Sequence, residues 1–164
     1  LGTGKYLHSE IECEENNSFC IGVAGYPEKH IEAPSFNYDL QMLKKKVDAG
    51  ADYIVTQMFF DNQKFFDFVK QAREIGIDVP IIPGIKPIAT KNHLQLLPQV
   101  FKIDLPEILI NEVVKCKTNA EVREVGVEWA INQCKELLDF GVPVLHFYSM
   151  GKSDNILKIG REVF

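Results

Sequence analysis

The stretch Tyr53-Ile54-Val55-Thr56-Gln57-Met58-Phe59 decides the fold class, because it is a short run of apolar and β-branched residues. A run of this kind is typical of a strand that is buried on both faces, as in a parallel sheet. Apolar residues at helical spacing follow at Phe65, Val69 and Ala72, and Gly76 ends that segment. We therefore predict a buried strand followed by a helix that packs against it.

The same strand-then-helix order is predicted at three other places in the chain. A parallel sheet covered by helices is the architecture that this alternation favours. No G-x-G-x-x-G follows any of the strands, which disfavours a classical dinucleotide-binding domain. The predicted strands are 19–25, 53–59, 80–85 and 144–148.

Helix boundaries are predicted from capping residues and glycines. Asp39 is expected to cap the first helix, and Asp61 or Asn62 the second. Thr118 with Glu121 fits a capping box for a long helix that ends at Gly141. Helical segments in residues 90–116 are expected to be interrupted at Pro98 and Pro106, and Ile156, Ile159 and Val163 indicate a final amphipathic helix.

Four β/α units amount to about half of a TIM (β/α)8 barrel, which typically needs about 250 residues. The chain has 164 residues, so we expect the first half of the barrel to lie elsewhere. Residues 1–18 are acidic and lack an apolar period, and they are predicted to be a lead-in loop. Residues 19–164 are predicted to form the half-barrel.

Composition excludes several classes of function. The formal net charge of -5 leaves no broad basic surface for nucleic acid. No apolar run approaches the roughly 20 residues that cross a bilayer, so no membrane partner is expected. The four cysteines form no C-x-x-C pair, which favours reduced thiols in a cytoplasmic protein. No Cys/His/Asp grouping has the spacing of metal ligands, so no metal site is predicted.

Polar residues are concentrated where the predicted strands end, and in parallel α/β barrels those ends carry the active site. Tyr26 and His30 offer aromatic faces and hydrogen bonds. Gln57 can donate and accept at once, which suits a pterin or flavin edge. Lys46 and Lys152 suit phosphate or carboxylate groups. Each residue alone also has an ordinary structural interpretation, such as a turn, a strand cap or a solvated helix face.

Several of these segments together resemble the methylenetetrahydrofolate reductase family. Residues Ala24 to Ala33 resemble its A-x-Y-P-E-x-H-x-E-A signature, and Leu43 to Ala51 resemble the L-K-x-K-x-D-A-G-A helix that follows. The later segments Thr56 to Asp61, Ile82 to Pro87 and His146 to Ser149 resemble T-Q-x-F-F-D, I-P-G-I-x-P and H-F-Y-T. The motifs occur in family order and at family spacing from about residue 19 to the end.

The resemblance implies an FAD-containing (β/α)8 barrel, of which this chain supplies about the last four units. In that family NAD(P)H reduces the flavin, which then reduces 5,10-methylenetetrahydrofolate to 5-methyltetrahydrofolate for methionine synthesis. It also implies a homo-oligomeric full-length enzyme. By motif position, the expected FAD contacts are Ala24, Tyr26, His30, Asp39 and Lys46. The expected folate or nicotinamide neighbours are Gln57, His93, Met150 and Lys152.

The chain departs from the family pattern at two positions and lacks two further groups. Leu97 lies where the best-known form has a substrate-stacking Phe, and Lys152 lies where it has an Arg. The general-acid Glu and the flavin-tuning Asp belong to the first half of the barrel. No catalytic residue is therefore expected in this chain.

Two alternatives stay open from the sequence. One is a flavin-free barrel enzyme, such as an aldolase or a pterin-binding transferase. The other is a non-catalytic fragment that only binds or docks a partner. Fold analogy does not decide between these and the reductase.

Overall fold

The computed structural model describes residues 19–151 and 153–164. The predicted lead-in loop of residues 1–18 and the predicted site residue Lys152 lie outside the described residues. Four strands and six helices form the described chain. In order they are β1 Gly22–Gly25, α1 Phe36–Asp48, β2 Tyr53–Met58, α2 Asn62–Glu74, β3 Ile81–Ile85, α3 His93–Phe101, α4 Glu107–Lys115, α5 Asn119–Asp139, β4 His146–Phe147 and α6 Asp154–Val163.

All four strands pair in parallel in the order β1-β2-β3-β4. The predicted α/β class with four successive β/α units is therefore confirmed. The β1–β2 register runs from Gly22 opposite Tyr53 to Gly25 opposite Thr56. An irregularity in β2 between Val55 and Met58 interrupts its pairing with β3. Because every strand runs the same way, all four end at one edge of the sheet.

One face of the sheet is covered by helices. Ile54, Ile81 and Ile85 point toward this face and belong to a buried core with residues from α1, α2, α5 and α6. Side chains alternate along a strand, so Ala24, Val55 and Gly84 point to the other face, here called the inner face. Ala24 is exposed and Val55 is half-buried there.

A second buried cluster lies under α3, α4 and α5. It includes Met58 and Phe60 at the end of β2, Ile88 after β3, and Leu109 and Val113 from α4. Leu97 also belongs to this cluster and is only 3% exposed. Its side chain therefore packs in the protein interior, which removes it as a stacking surface for a substrate.

The predictions for Asp39 and Pro98 were wrong, whereas the predicted caps Asp61 and Thr118 were confirmed. The cap of α1 is Ser35, whose Oγ accepts from the Tyr38 N–H at 3.1 Å, and Asp39 lies in the first turn instead. Pro98 lies inside α3 and does not end it, since the helix continues to Phe101. The proline removes a single backbone N–H donor from the helix. The predicted Thr118 cap is present, with its Oγ1 accepting from the Glu121 N–H at 3.2 Å.

Strand β4 is shorter than predicted. Only His146 and Phe147 pair with β3, although the sequence predicted residues 144–148. The β4 strand has a partner on one side only among the described residues. Backbone hydrogen bonds alone therefore fix the end of this strand weakly.

Gly126 sets the distance between α5 and the segment after β3. A Cβ at Gly126 would lie 2.0 Å from the Ile88 carbonyl oxygen and 2.9 Å from the Ile88 nitrogen. Both atoms are backbone, so no side-chain rotation relieves the contact. Gly160 on α6 differs, since nothing lies within 4 Å of its ideal Cβ.

We predict that Gly126→Ala destabilises the protein by about 2–3 kcal/mol, because overpacking against fixed backbone forces α5 to move. The matched control Gly160→Ala should instead raise the free energy of unfolding by about 0.5–1 kcal/mol, the usual gain in a helix interior. Urea denaturation of the two variants measures both values. Equal stability of the two variants would contradict the close packing of α5.

Candidate functional site

The connection from β1 to α1 carries two of the predicted cofactor residues. The rings of Tyr26 and His30 meet edge to face with centroids 4.6 Å apart. The His30 backbone N–H donates to Asp39 Oδ2 at 2.8 Å. Lys29 has a φ of 81°, and its Nζ donates to the carbonyls of His30 and Ala33. These bonds hold the loop on the first turn of α1.

A narrow crevice opens between this loop, the end of β1 and helix α1. Ala24, Tyr26, Asp39 and Lys46 all line it. The structure therefore brings four of the five predicted cofactor residues to one place, and His30 contacts two of them. Burial, with the negative charge of Asp39, raises the pKa of the Tyr26 phenol above its ordinary value. Tyr26 is thus a hydrogen-bond donor at neutral pH.

Gln57 lies at the end of β2, next to the break in the β2–β3 pairing. Its Oε1 accepts from the Met58 N–H at 3.0 Å, which leaves the amide NH₂ as a donor. Helix α5 holds the segment that follows. Gln133 Nε2 donates to the Phe59 carbonyl at 3.2 Å and Trp129 Nε1 to the Phe60 carbonyl at 3.1 Å. The backbone around Gln57 is thus fixed by a distant helix.

Tyr148 links three strand ends on the inner face. Its hydroxyl donates to the Thr56 carbonyl of β2 at 2.9 Å. Its ring occupies the space beside Gly84 of β3, where a Cβ would lie 2.6 Å from the ring. Thr56 Oγ1 in turn accepts from the Gly84 N–H at 3.0 Å. Neither Tyr148 nor Thr56 was among the predicted site residues, and the signal in the sequence was a glycine in β3 together with an aromatic residue after β4.

Lys86 and His93 form a second polar group beside Tyr148. Lys86 Nζ donates to the Tyr148 carbonyl at 3.0 Å, and His93 Nδ1 accepts from the Ala89 N–H at 3.2 Å. Burial, with the nearby Lys86 charge, lowers the pKa of His93 below its ordinary value. Burial likewise lowers the pKa of Lys86. His93 is thus a neutral imidazole close to the strand ends.

Met150 is the remaining predicted substrate residue within the described part of the chain. Met150 is 78% exposed in the turn after β4 and has a φ of 52°. His146 is exposed on β4, and its ring meets that of Tyr148 with centroids 4.7 Å apart. Burial, and to a lesser extent Tyr26, raises the pKa of Tyr148 above its ordinary value. Tyr148 thus lies between the ring of His146 and the ammonium group of Lys86 at the strand ends.

The described part of the chain contains neither a cluster of metal-ligand residues nor a membrane-spanning helix. In residues 19–151 and 153–164, no three His, Cys, Asp or Glu side chains lie close enough together to hold a metal ion. None of the helices in those ranges has the length and apolar character required to cross a membrane.

Comparison with known proteins gives the family. The methylenetetrahydrofolate reductase family model matches residues 5–163. The chain belongs to the methylenetetrahydrofolate reductase family. The resemblance seen in the sequence motifs is therefore confirmed.

Relatives from distant organisms agree with this assignment. A probable methylenetetrahydrofolate reductase (NADPH) of Caenorhabditis elegans is 40% identical over 151 residues, which are 91% of this chain and 23% of that protein. Methylenetetrahydrofolate reductase 2 of Saccharomyces cerevisiae is 42% identical over 89% of this chain and 25% of its own length. The Escherichia coli 5,10-methylenetetrahydrofolate reductase is 37% identical over 86% of this chain and 48% of its length. The chain thus spans from about a quarter to about half of the length of these relatives.

A solved structure shares the fold. A protein from Clostridium thermocellum, described as binding two copies of 5-methyl-5,6,7,8-tetrahydrofolic acid, aligns with a TM-score of 0.62 at 20% identity. The alignment covers 86% of this chain and 51% of the other chain. At this identity the likeness concerns the fold.

We predict that Tyr148→Phe lowers the free energy of unfolding by about 1–2 kcal/mol, because the carbonyl of the buried Thr56 loses its donor. The control Tyr38→Phe changes an exposed tyrosine on α1 and should stay within about 0.5 kcal/mol of the unmodified protein. Urea denaturation measures the difference. Identical values for the two variants would show that the Tyr148 hydroxyl does not hold β2 and β4 together.

We predict that Lys86→Met raises the pKa of His93, because it removes the nearby positive charge. Because the pKa of His93 is lower in the folded protein than its ordinary value of 6.5, the neutral imidazole contributes to stability above pH 6.5. That contribution is lost as the pH falls through the folded pKa. The NMR titration of the His93 imidazole measures the shift. The control Lys158→Met alters an exposed lysine on α6 and should leave the His93 curve unchanged.

Proposed function

We propose that the protein containing this chain is a flavin-dependent oxidoreductase. In the proposed reaction, electrons pass from NAD(P)H through FAD to 5,10-methylenetetrahydrofolate, giving 5-methyltetrahydrofolate. The observation that carries the proposal is the convergence of Ala24, Tyr26, Asp39 and Lys46 on one crevice at the strand ends. Family membership supports the reaction, and the convergence supports these four residues as contacts of the cofactor.

The residues of the crevice fit FAD by their chemistry. Lys46 is exposed on α1 and offers an ammonium group to the diphosphate. Asp39 uses Oδ2 on the His30 N–H, which leaves Oδ1 to accept from a sugar hydroxyl. The paired rings of Tyr26 and His30 offer apolar faces and hydrogen-bond donors. When bound, the flavin supplies the hydride chemistry, and the protein binds and orients it.

Residues beyond the crevice are proposed to bind the folate or the nicotinamide. The amide NH₂ of Gln57 is available to the pterin, because its carbonyl oxygen already accepts from Met58. Neutral His93, which accepts from the Ala89 N–H, lies next to Lys86 at the same edge. Met150 and Lys152 are proposed as further neighbours. The bound 5-methyltetrahydrofolic acid named for the Clostridium thermocellum protein supports a folate as the ligand class.

Proton delivery to the folate nitrogen is assigned to the rest of the protein. In the family that the motifs resemble, the general-acid Glu and the flavin-tuning Asp belong to the first half of the barrel. We propose that they come from that half here as well. We further propose a cytoplasmic homo-oligomer that serves methionine synthesis and binds neither nucleic acid nor membrane.

The test is flavin retention by the full-length protein, followed by flavin reduction with NADH or NADPH. We expect a yellow protein whose flavin is bleached by one of the two and reoxidised by 5,10-methylenetetrahydrofolate. Lys46→Met should weaken FAD binding about 10-fold, because it removes a charge-assisted contact to phosphate. The control Lys44→Met removes a lysine that pairs with Asp48 and should leave FAD affinity unchanged.

Purification without flavin, and no uptake of added FAD, would contradict the proposal. Folate binding in that case would favour the flavin-free barrel enzyme. The absence of both ligands would favour the non-catalytic alternative.

A further inference from the structure

We infer that Glu28 is a positioning residue for the cofactor, because its carboxylate ties the loop that carries Tyr26 and His30 to the next two β/α units. The inference rests on the proposed function, since it concerns how the proposed FAD contacts are held. Glu28 itself lines no part of the crevice. It acts through the backbone of the loop.

The contacts of Glu28 join three segments that are distant in sequence. Its Oε2 accepts from the Asp104 backbone N–H, in the connection between α3 and α4, at 2.6 Å. Its Oε1 lies 3.3 Å from Lys64 Nζ on α2. Lys64 also pairs with the Asp104 carboxylate at 2.6 Å. The three residues form one closed group, here called the Glu28 clasp.

The other hydrogen bonds of the loop stay within its own β/α unit. They join Tyr26, Lys29, His30 and Ala33 to one another, and His30 to Asp39 of α1. Among the hydrogen bonds and ion pairs of the described residues, those of Glu28 alone reach from the loop to another unit. The clasp therefore fixes the loop relative to the rest of the half-barrel.

The buried position of Glu28 disfavours the ionised form of its carboxyl group. Its side chain is 8% exposed, and Oε1 has no hydrogen-bond donor in the described structure. Burial raises the pKa of Glu28, although the Asp104 N–H and Lys64 partly oppose that effect. A raised carboxyl pKa means that ionised Glu28 lowers stability relative to its protonated form. A buried charge of this kind is weak evidence for a stabilising role, which favours a role in geometry.

The clasp predicts that flavin affinity and fold stability respond differently to substitution. Glu28→Ala removes both contacts and frees the loop, so bound FAD should dissociate more easily. Glu28→Gln keeps an oxygen for the Asp104 N–H, but it replaces the charged oxygen opposite Lys64 by an NH₂ group, which cannot accept from the ammonium group. If Glu28 only stabilised the fold, its substitution would lower stability and leave the FAD affinity of the folded protein unchanged.

The experiment measures FAD dissociation from the full-length flavoprotein by the fluorescence of released flavin, with thermal denaturation of the apoprotein in parallel. We expect Glu28→Ala to raise the dissociation constant about 10-fold, which corresponds to about 1.4 kcal/mol. Glu28→Gln should raise it about 3-fold, with the apoprotein midpoint unchanged or higher. As a single substitution, Lys64→Met should weaken FAD binding. Combined with Glu28→Ala it should weaken FAD binding little further, because the contacts of the clasp are already lost.

Glu124→Ala is the matched control, because Glu124 forms an exposed ion pair with Lys158 at 2.6 Å. It should change neither FAD affinity nor the midpoint appreciably. A lower midpoint with native FAD affinity in Glu28→Ala overturns the inference and leaves the proposed function intact. If Glu28→Ala does not fold, Glu28→Gln decides, and its native FAD affinity overturns the inference. An unmodified protein that binds no FAD overturns the proposed function and this inference together.

Discussion

The parallel register of the sheet is the constraint on which the site depends. Strands β1, β2 and β3 run the same way, so Tyr26, Gln57 and Lys86 all lie at or just after strand ends on one edge. In an antiparallel sheet, alternate ends would lie on opposite sides of the molecule. The helices on the covered face enforce the register, because a slip of one residue would turn Ile54 and Ile81 away from their core.

Side-chain hydrogen bonds join the strand ends where backbone pairing is weak. β4 pairs through two residues only, and the pairing of β2 with β3 is interrupted after Val55. Tyr148 compensates by donating to the Thr56 carbonyl at the irregular part of β2. Lys86 donates to the Tyr148 carbonyl from β3. The strand ends thus hold their positions through polar contacts that also shape the inner face.

The loop after β1 is organised from both sides. On the crevice side, Asp39 accepts from His30 and sets the loop on α1. On the opposite side, Glu28 contacts Lys64 and the Asp104 backbone. A loop held at two points loses less conformational entropy when it orders around a ligand. This arrangement is consistent with a half-barrel that supplies binding groups, while the proton donor is proposed to come from elsewhere in the protein.

The sequence by itself determined the fold class, the family and the crevice residues, because apolar periodicity and contiguous motifs are local properties. Asp39 shows the limit of that reasoning, since a carboxylate before an apolar helix also fits a cap, and only the path of the chain gives that role to Ser35. Pro98 shows the same limit, because the packing of Leu97 and its neighbours holds a helix that the proline disfavours. The Glu28 clasp and the Tyr148 contact were decided by tertiary structure alone. Their partners lie between 36 and 92 residues away along the chain, a distance at which neither spacing nor composition indicates contact.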